Sequence, residues 1–369
     1  MPSAAPIVVI HPPPIADPDL VDLAAYRAAA ASASLRTKIG QMLLVGFSGR
    51  TVNGNSEVIR DIRGHALGAV LLYDFASAAG NISSTSSLRA MINALKAASG
   101  LPLLVATDQE GGRVARLGPD HGYPATESAE SLGRRNDPGY THARARAMAM
   151  TLRGVGINFN LAPVVDLNRN PDNPVIGRLH RSFSADPSIV TTHATEFIAA
   201  HHELAVRCVL KHFPGHGSST ADSHLGVVDV STTWDPIELE PFRQIVAAGI
   251  ADAVMTAHIF NSKLDAAHPA TLSRPTITGI LRDRLGFDGV VVSDDMQMGA
   301  IQKAYGYNTA VLLAIRAGVD MLTISNHTPY SPGIVGRTID LIEGFVKDGR
   351  LSAARIDESW IRIRKLKGI

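Results

Sequence analysis

The chain has 369 residues, 45% of them hydrophobic and 19% charged, which suits a globular protein with a sizeable core in one large domain or two ordinary ones. Lys and Arg number 35 against 34 Asp and Glu, a net charge of +1 that argues against nucleic acid or an anionic membrane as partner. Cys208 is the single cysteine, which excludes an internal disulfide framework and a cysteine-rich metal site; inside an apolar run it reads as a buried, inert thiol.

Residues 1–20 are proline-rich and are expected to form an extended arm. The start Met1-Pro2-Ser3-Ala4 has neither the basic flank nor the apolar core of a secretory signal, and no stretch approaches the length of a membrane span, so a soluble, cytoplasmic protein is expected. An alanine-rich helix is predicted from Leu20 to Leu35, then a short turn over Thr37–Met42. From there, short runs rich in Val, Ile and Leu alternate with segments of helical period. The runs are Met42–Phe47, Ala69–Tyr73, Leu103–Thr107, Ile157–Val165, Cys208–Leu210, Ala253–Ala257, Val290–Ser293 and Met321–Ser325. Helices are predicted at Ser188–Val206, Pro275–Leu285 and Asn308–Ala317. The clearest start is Asp235-Pro236-Ile237-Glu238, with an N-cap, a proline at the first helical position and an acid where a capping box places one.

Eight strand–helix units in series predict an α/β fold, a single-domain (β/α)₈ TIM-type barrel over residues 21–369, irregular if anywhere in its first units and closed by two helices between Val335 and Ile369. An open, doubly wound sheet is the alternative. On a barrel, active sites lie at the carboxyl ends of the strands. Those ends carry Asp74, Asp108, Asp166, Lys211-His212, His258 and Asp294-Asp295, and so many polar groups on one face point to a polar ligand.

Lys211-His212-Phe213-Pro214-Gly215-His216-Gly217, followed by Asp222-Ser223-His224, is the most informative stretch. A buried strand gives way to a lysine, two imidazoles and two glycines, and then to a long loop of the kind that is often functional. His212, His216, Asp222 and His224 could in principle surround zinc, but the prolines and glycines deny them helical spacing, and no metal is assigned. Lys211 at a strand end also fits a Schiff-base aldolase, which would leave Asp294, Asp222 and His224 without work. Asp294-Asp295 offers a nucleophile beside a second acid, Asp108-Gln109-Glu110-Gly111-Gly112-Arg113 a polar strand end, and Arg178, His180 and Arg181 a loop able to grip a polar ligand.

These blocks, with Arg181-Ser182-Phe183 and Ser293-Asp294-Asp295-Met296, resemble glycoside hydrolase family 3 in its β-N-acetylglucosaminidase branch, in the expected order and over roughly Ile39 to Ser325. The resemblance implies an exo-acting, retaining β-N-acetylhexosaminidase that removes terminal N-acetylglucosamine without a cofactor. It assigns Asp294 as nucleophile and Asp222 with His224 as an acid/base dyad, and it places Asp108, Arg181, Lys211 and His212 on the sugar hydroxyls. The partner it implies is a small carbohydrate, an N-acetylglucosamine-containing oligosaccharide or a muropeptide of peptidoglycan recycling. Two departures stand out: Leu225–Val230 is more apolar than in the cell-wall-recycling members, and the sequence holds no counterpart of the family's common second domain. A β-glucosidase or β-xylosidase of the same family and a non-catalytic sugar-binding barrel are the other readings.

Overall fold

The computed structural model describes residues 23–74, 80–223, 226–327 and 329–369; the arm expected over residues 1–20 lies outside them. Eight parallel strands are present: β1 (Leu43–Gly46), β2 (Ala69–Leu72), β3 (Leu104–Thr107), β4 (Phe159–Asn160), β5 (Arg207–Phe213), β6 (Ala253–Thr256), β7 (Val290–Val292) and β8 (Leu322–Ile324). Neighbours in sequence are neighbours in the sheet. β1 pairs with both β2 and β8, and a bridge between Val292 and Met321 joins β7 to β8. The sheet therefore closes into a barrel, and the doubly wound alternative falls. Every residue of β1, β2 and β3 is buried, as expected of parallel strands with helices outside and side chains filling the interior.

Local chemistry sets the helix starts. Asp186 accepts the Ser188 N–H at 2.8 Å ahead of Pro187–His202, and Asp235 accepts the Ile237 N–H at 2.9 Å ahead of Pro236. The alanine-rich helix is found over Leu23–Ser32. Thr37–Met42 is not a turn: Ser34 caps the Thr37 N–H at 3.1 Å, and residues Leu35–Gln41 run as a helix that buries Ile39. The run Ile157–Val165 yields only two residues of strand, because Pro163 has no N–H for the ladder; Val164 rejoins the sheet opposite Lys211. Pro275–Arg284 is a π-helix, and Ile334–Lys347 and Ala353–Lys367 are the two closing helices. Among the described residues no helix is long and apolar enough to cross a membrane.

Asp320, fully buried at the base of the seam between β7 and β8, gathers the elements there. Its Oδ2 accepts from the Val291 N–H at 3.0 Å and from Arg282 at 2.5 Å; its Oδ1 accepts from Arg355 at 3.0 Å and from Ser359 at 2.8 Å. Burial would raise this carboxyl, but Arg355, Arg282 and Arg362 hold it below the usual carboxylate range.

Candidate active site

Side chains from the ends of β2 through β8 line a cleft of about 410 Å³. One wall is an ionic network. Lys211, 2% exposed, places Nζ 2.8 Å from Asp108 Oδ1 and 2.7 Å from Glu110 Oε1. Arg181 forks onto Glu110 through Nε and Nη2, both at 2.7 Å, and its Nη1 donates to the Val175 carbonyl at 2.8 Å. Arg116 reaches Asp108 Oδ2 at 3.4 Å. Burial would raise Glu110, yet Arg181 and Lys211 hold it down at about 2. Burial would likewise depress Lys211, but Asp108 and Glu110 raise it above its ordinary value. A lysine held as a cation between two carboxylates is no amine nucleophile, so the aldolase alternative fails on geometry and charge.

His212 extends the network. Arg181 Nη2 can only donate, so His212 Nε2, 3.3 Å away, accepts, and the ring's proton sits on Nδ1. That Nδ1–H meets Asp166 Oδ2 at 2.7 Å. Asp166 is fully buried and also takes the His216 N–H at 2.8 Å, so it fixes the chain on both sides of Pro214. Burial would raise Asp166, but His212 and His216 bring it below the usual range.

His216 turns towards the loop beyond. Ser219 donates to the His216 carbonyl at 3.0 Å, so at 2.7 Å it accepts from His216 Nδ1–H. The Ser223 hydroxyl then donates to Nε2 at 3.2 Å. Burial, the largest influence, and the neighbouring His212 push His216 down to about 4, in keeping with a neutral ring. Both nitrogens are thus committed to serine hydroxyls rather than presented to an ion.

On the cleft's other side, β7 delivers Asp294 and Asp295. The two carboxylates differ in surroundings. Asp295 Oδ1 accepts the Ser325 N–H at 2.9 Å and the Gln297 N–H at 3.1 Å, anchoring the turn to β8. Its own N–H donates to Asp294 Oδ1 at 2.8 Å, which orients Asp294 at the cleft. Burial raises Asp295 above its ordinary value.

The residues expected from the sequence divide as follows. Asp108, Arg181, Lys211, His212 and Asp294 come together around the cleft. Of the dyad, Asp222 is half-buried on the loop, next to the cleft-lining Ser223, while His224 lies outside the described residues. Asp166 and His258 support the site from behind: His258 Nε2–H donates to the Asp295 carbonyl at 2.9 Å. Asp74 is instead held by His121 at 2.7 Å, and Arg178 is an exposed partner of Asp172 at 3.4 Å. Cys208 is buried, its thiol pushed well up by burial, as an inert residue should be. Glu110 and Arg116 were not expected. Both follow Asp108 closely in sequence, and that proximity to a predicted strand end was the available signal.

The pattern that defines the glycosyl hydrolase family 3 N-terminal domain matches residues 34–366. A beta-hexosaminidase A of Pseudoalteromonas piscicida is 35% identical over 326 residues, which are 80% of this chain and 53% of that protein. A beta-hexosaminidase of Tolumonas auensis is 37% identical over 274 residues, 73% of this chain and 78% of that protein. Among solved structures, a family 3 beta-N-acetylglucosaminidase from Paenibacillus sp. FPU-7 aligns with a TM-score of 0.84 at 33% identity, covering 91% of this chain and 62% of the other. A beta-N-acetylhexosaminidase from Beutenbergia cavernae aligns at 0.82 and 33%, covering 92% and 100%. The chain thus spans about half the length of the Pseudoalteromonas relative and the whole of the Beutenbergia one. A domain pattern matched over nearly the whole barrel, and relatives above 30% identity, give one conclusion: the chain belongs to glycosyl hydrolase family 3.

Proposed function

We propose that the protein is an exo-acting, retaining β-N-acetylhexosaminidase that hydrolyses terminal β-linked N-acetylglucosamine. The observation that carries the proposal is the pairing, across one cleft, of Asp294 with a wall of charged donors and acceptors from Asp108, Glu110, Arg181, Lys211 and His212. A sugar ring presents hydroxyls that both donate and accept, and such a wall satisfies them while the anomeric carbon faces the carboxylate. Names of relatives that cover most of their own length support the acetamido sugar as the preferred one.

Retention needs two groups in two roles. Asp294 attacks the anomeric carbon and forms the glycosyl-enzyme; Asp295, with one carboxylate oxygen bound to two amides, orients it. His224 protonates the leaving oxygen and then deprotonates the incoming water, and Asp222 orients its ring. Histidine suits a group that must act as acid and then as base near neutral pH. The network around Glu110 turns remote binding energy into alignment of the reacting centre.

Specificity constants on a panel of p-nitrophenyl glycosides test this. The N-acetylglucosaminide should be cleaved far better than the glucoside or xyloside. A preference for glucoside would overturn the assignment to the acetamido sugar, and hydrolysis of none of the panel would favour a sugar-binding barrel.

A further inference from the structure

Beneath the cleft, Glu238 occupies a place that neither the sugar-binding wall nor the chemistry above uses. It is fully buried in the 3₁₀ turn Pro236–Leu239 that opens the helix after β5, and its Oε2 accepts the Gly217 N–H at 3.1 Å. Gly215, at φ +116°, lies against it: a Cβ there would meet Glu238 Cβ at 2.6 Å and Oε2 at 3.0 Å, so only glycine lets the carboxylate reach the loop. The other grips on this stem are Asp166 on the His216 N–H, Trp234 Nε1 on the Pro214 carbonyl at 3.1 Å, and Asn173 Nδ2 on the His216 carbonyl at 2.8 Å. From the stem, the His216 ring passes to Ser223, the middle residue of the triplet Asp222-Ser223-His224.

We propose that Glu238 is a positioning residue for proton transfer: as a carboxylate it fixes Gly217, and through His216 and Ser223 the part of the loop that carries Asp222, and on taking up a proton it relaxes that hold. The proposal rests on the dyad assigned above. Glu238 Oε1 is buried without a hydrogen bond of good geometry, as is the Ser218 hydroxyl beside it. An under-satisfied buried carboxylate is one that protonates readily. Burial first, and the charge of Asp166 after it, push Glu238 up to about 7, against the pull of Ser218 and the Asp235 amide. The titratable groups facing it are Asp166 from the end of β4, His216 from the loop and Asp235 from its own turn. Asp166 is held below the usual range and His216 is down at about 4, so neither of these two changes charge across neutrality.

The test is kcat and KM of the full chain against pH, from about 5 to 9, for wild type and Glu238→Gln. Two N-acetylglucosaminides are needed, one with an alkyl and one with a p-nitrophenyl leaving group, with thermal unfolding to verify the fold. Glu238→Asp, charged but too short to reach Gly217, is the second variant. A charge-assisted hydrogen bond is about twice as strong as a neutral one, so Glu238→Gln should fall about fivefold short in kcat at alkaline pH on the alkyl glycoside. It should match wild type at acid pH and keep KM within about twofold. The wild-type rise across neutrality is thereby flattened, and Glu238→Asp keeps the rise at a lower level. A Glu238→Gln profile parallel to wild type at every pH would overturn the proposal. A flattened rise with equal loss on both leaving groups would overturn it as well, since help to leaving-group protonation must weigh more on the alkyl glycoside.

Discussion

Arg181 and Glu110 meet as a two-pronged ion pair, Nε to Oε2 and Nη2 to Oε1 both at 2.7 Å, with their side chains only 11% and 4% exposed. The same Glu110 takes Lys211, so one carboxylate is shared by two buried cations, with Asp108 the second partner of Lys211. Glu110→Gln keeps the volume and strands the charges. Breaking one partner of a buried pair typically costs ~3–5 kcal/mol, so this variant should unfold at a clearly lower denaturant midpoint, and KM should rise with it. The effect should depend on pH. Glu110 is depressed from 4.5 to about 2, so its contribution is full above 4.5 and is lost as pH falls through about 2. That interval converts to roughly 3 kcal/mol at most. Urea titrations at neutral and strongly acid pH should show wild type and variant converging as pH falls; a constant gap would remove the ion pair from the account.

Asp294→Asn should fold as wild type does and lose several orders of magnitude in turnover, since covalent attack needs the ionised carboxylate. A 5-fluoro or 2-deoxy-2-fluoro glycoside should label Asp294, and peptide mapping would locate the label. Asp295 is bonded to two backbone amides, so a label there would reverse the roles given to the two acids.

His224→Ala should slow poor leaving groups severely. With an activated aryl glycoside the first step needs little acid help, so the burden shifts to deglycosylation, where azide should restore turnover because it needs no general base. Asp222→Asn should be milder, as the imidazole remains. Equal slowing of every leaving group, with no response to azide, would make the histidine structural and place the proton donor elsewhere.

Glu238 also predicts an opposition between stability and rate. Its carboxyl is raised from 4.5 to about 7 in the folded protein, so the folded state holds a proton that the unfolded state has given up. Stability from this group is therefore greatest below 4.5 and declines as pH rises through about 7, by roughly 3 kcal/mol at most. Glu238→Gln, which does not ionise, should be more stable than wild type at alkaline pH and similar at acid pH. Melting temperatures across that range decide it; a variant less stable at every pH would show the carboxylate to be a net stabiliser.

The barrel was legible because fully covered parallel strands leave apolar runs such as Ala69–Leu72 and Val290–Val292, punctuated by capped helix starts at Asp186 and Asp235. Strand ends were legible as a set but not one by one. Asp74 and Asp108 look alike in sequence, yet one is taken by His121 and the other by Lys211, 103 residues away. Glu110 was hidden for the same reason, since its partner Arg181 lies 71 residues on and no local pattern announces it. The turn over Thr37–Met42 was misread because Gly40 argues for a turn, while the Ser34 cap and a contact too close for any side chain, against the His65 carbonyl, explain why a helix holds a glycine there. Glu238 is legible as a capping acid, and the Asp235 amide does lie beside it, but its reach to Gly217 exists only once the loop is folded over it.

Asp320 and Asp294 stand at opposite ends of the same seam, one holding the Val291 N–H within β7 and lying just before β8, the other emerging where β7 stops. In the mechanism proposed above, the strand that carries the nucleophile would therefore be held from below, by arginines that do not line the cleft. Loops around the mouth could be exchanged or lengthened to suit another aglycone while that hold is kept. On that reading, a conservative change at Arg355, which does not line the cleft, would loosen the hold on β7 without changing any group that does.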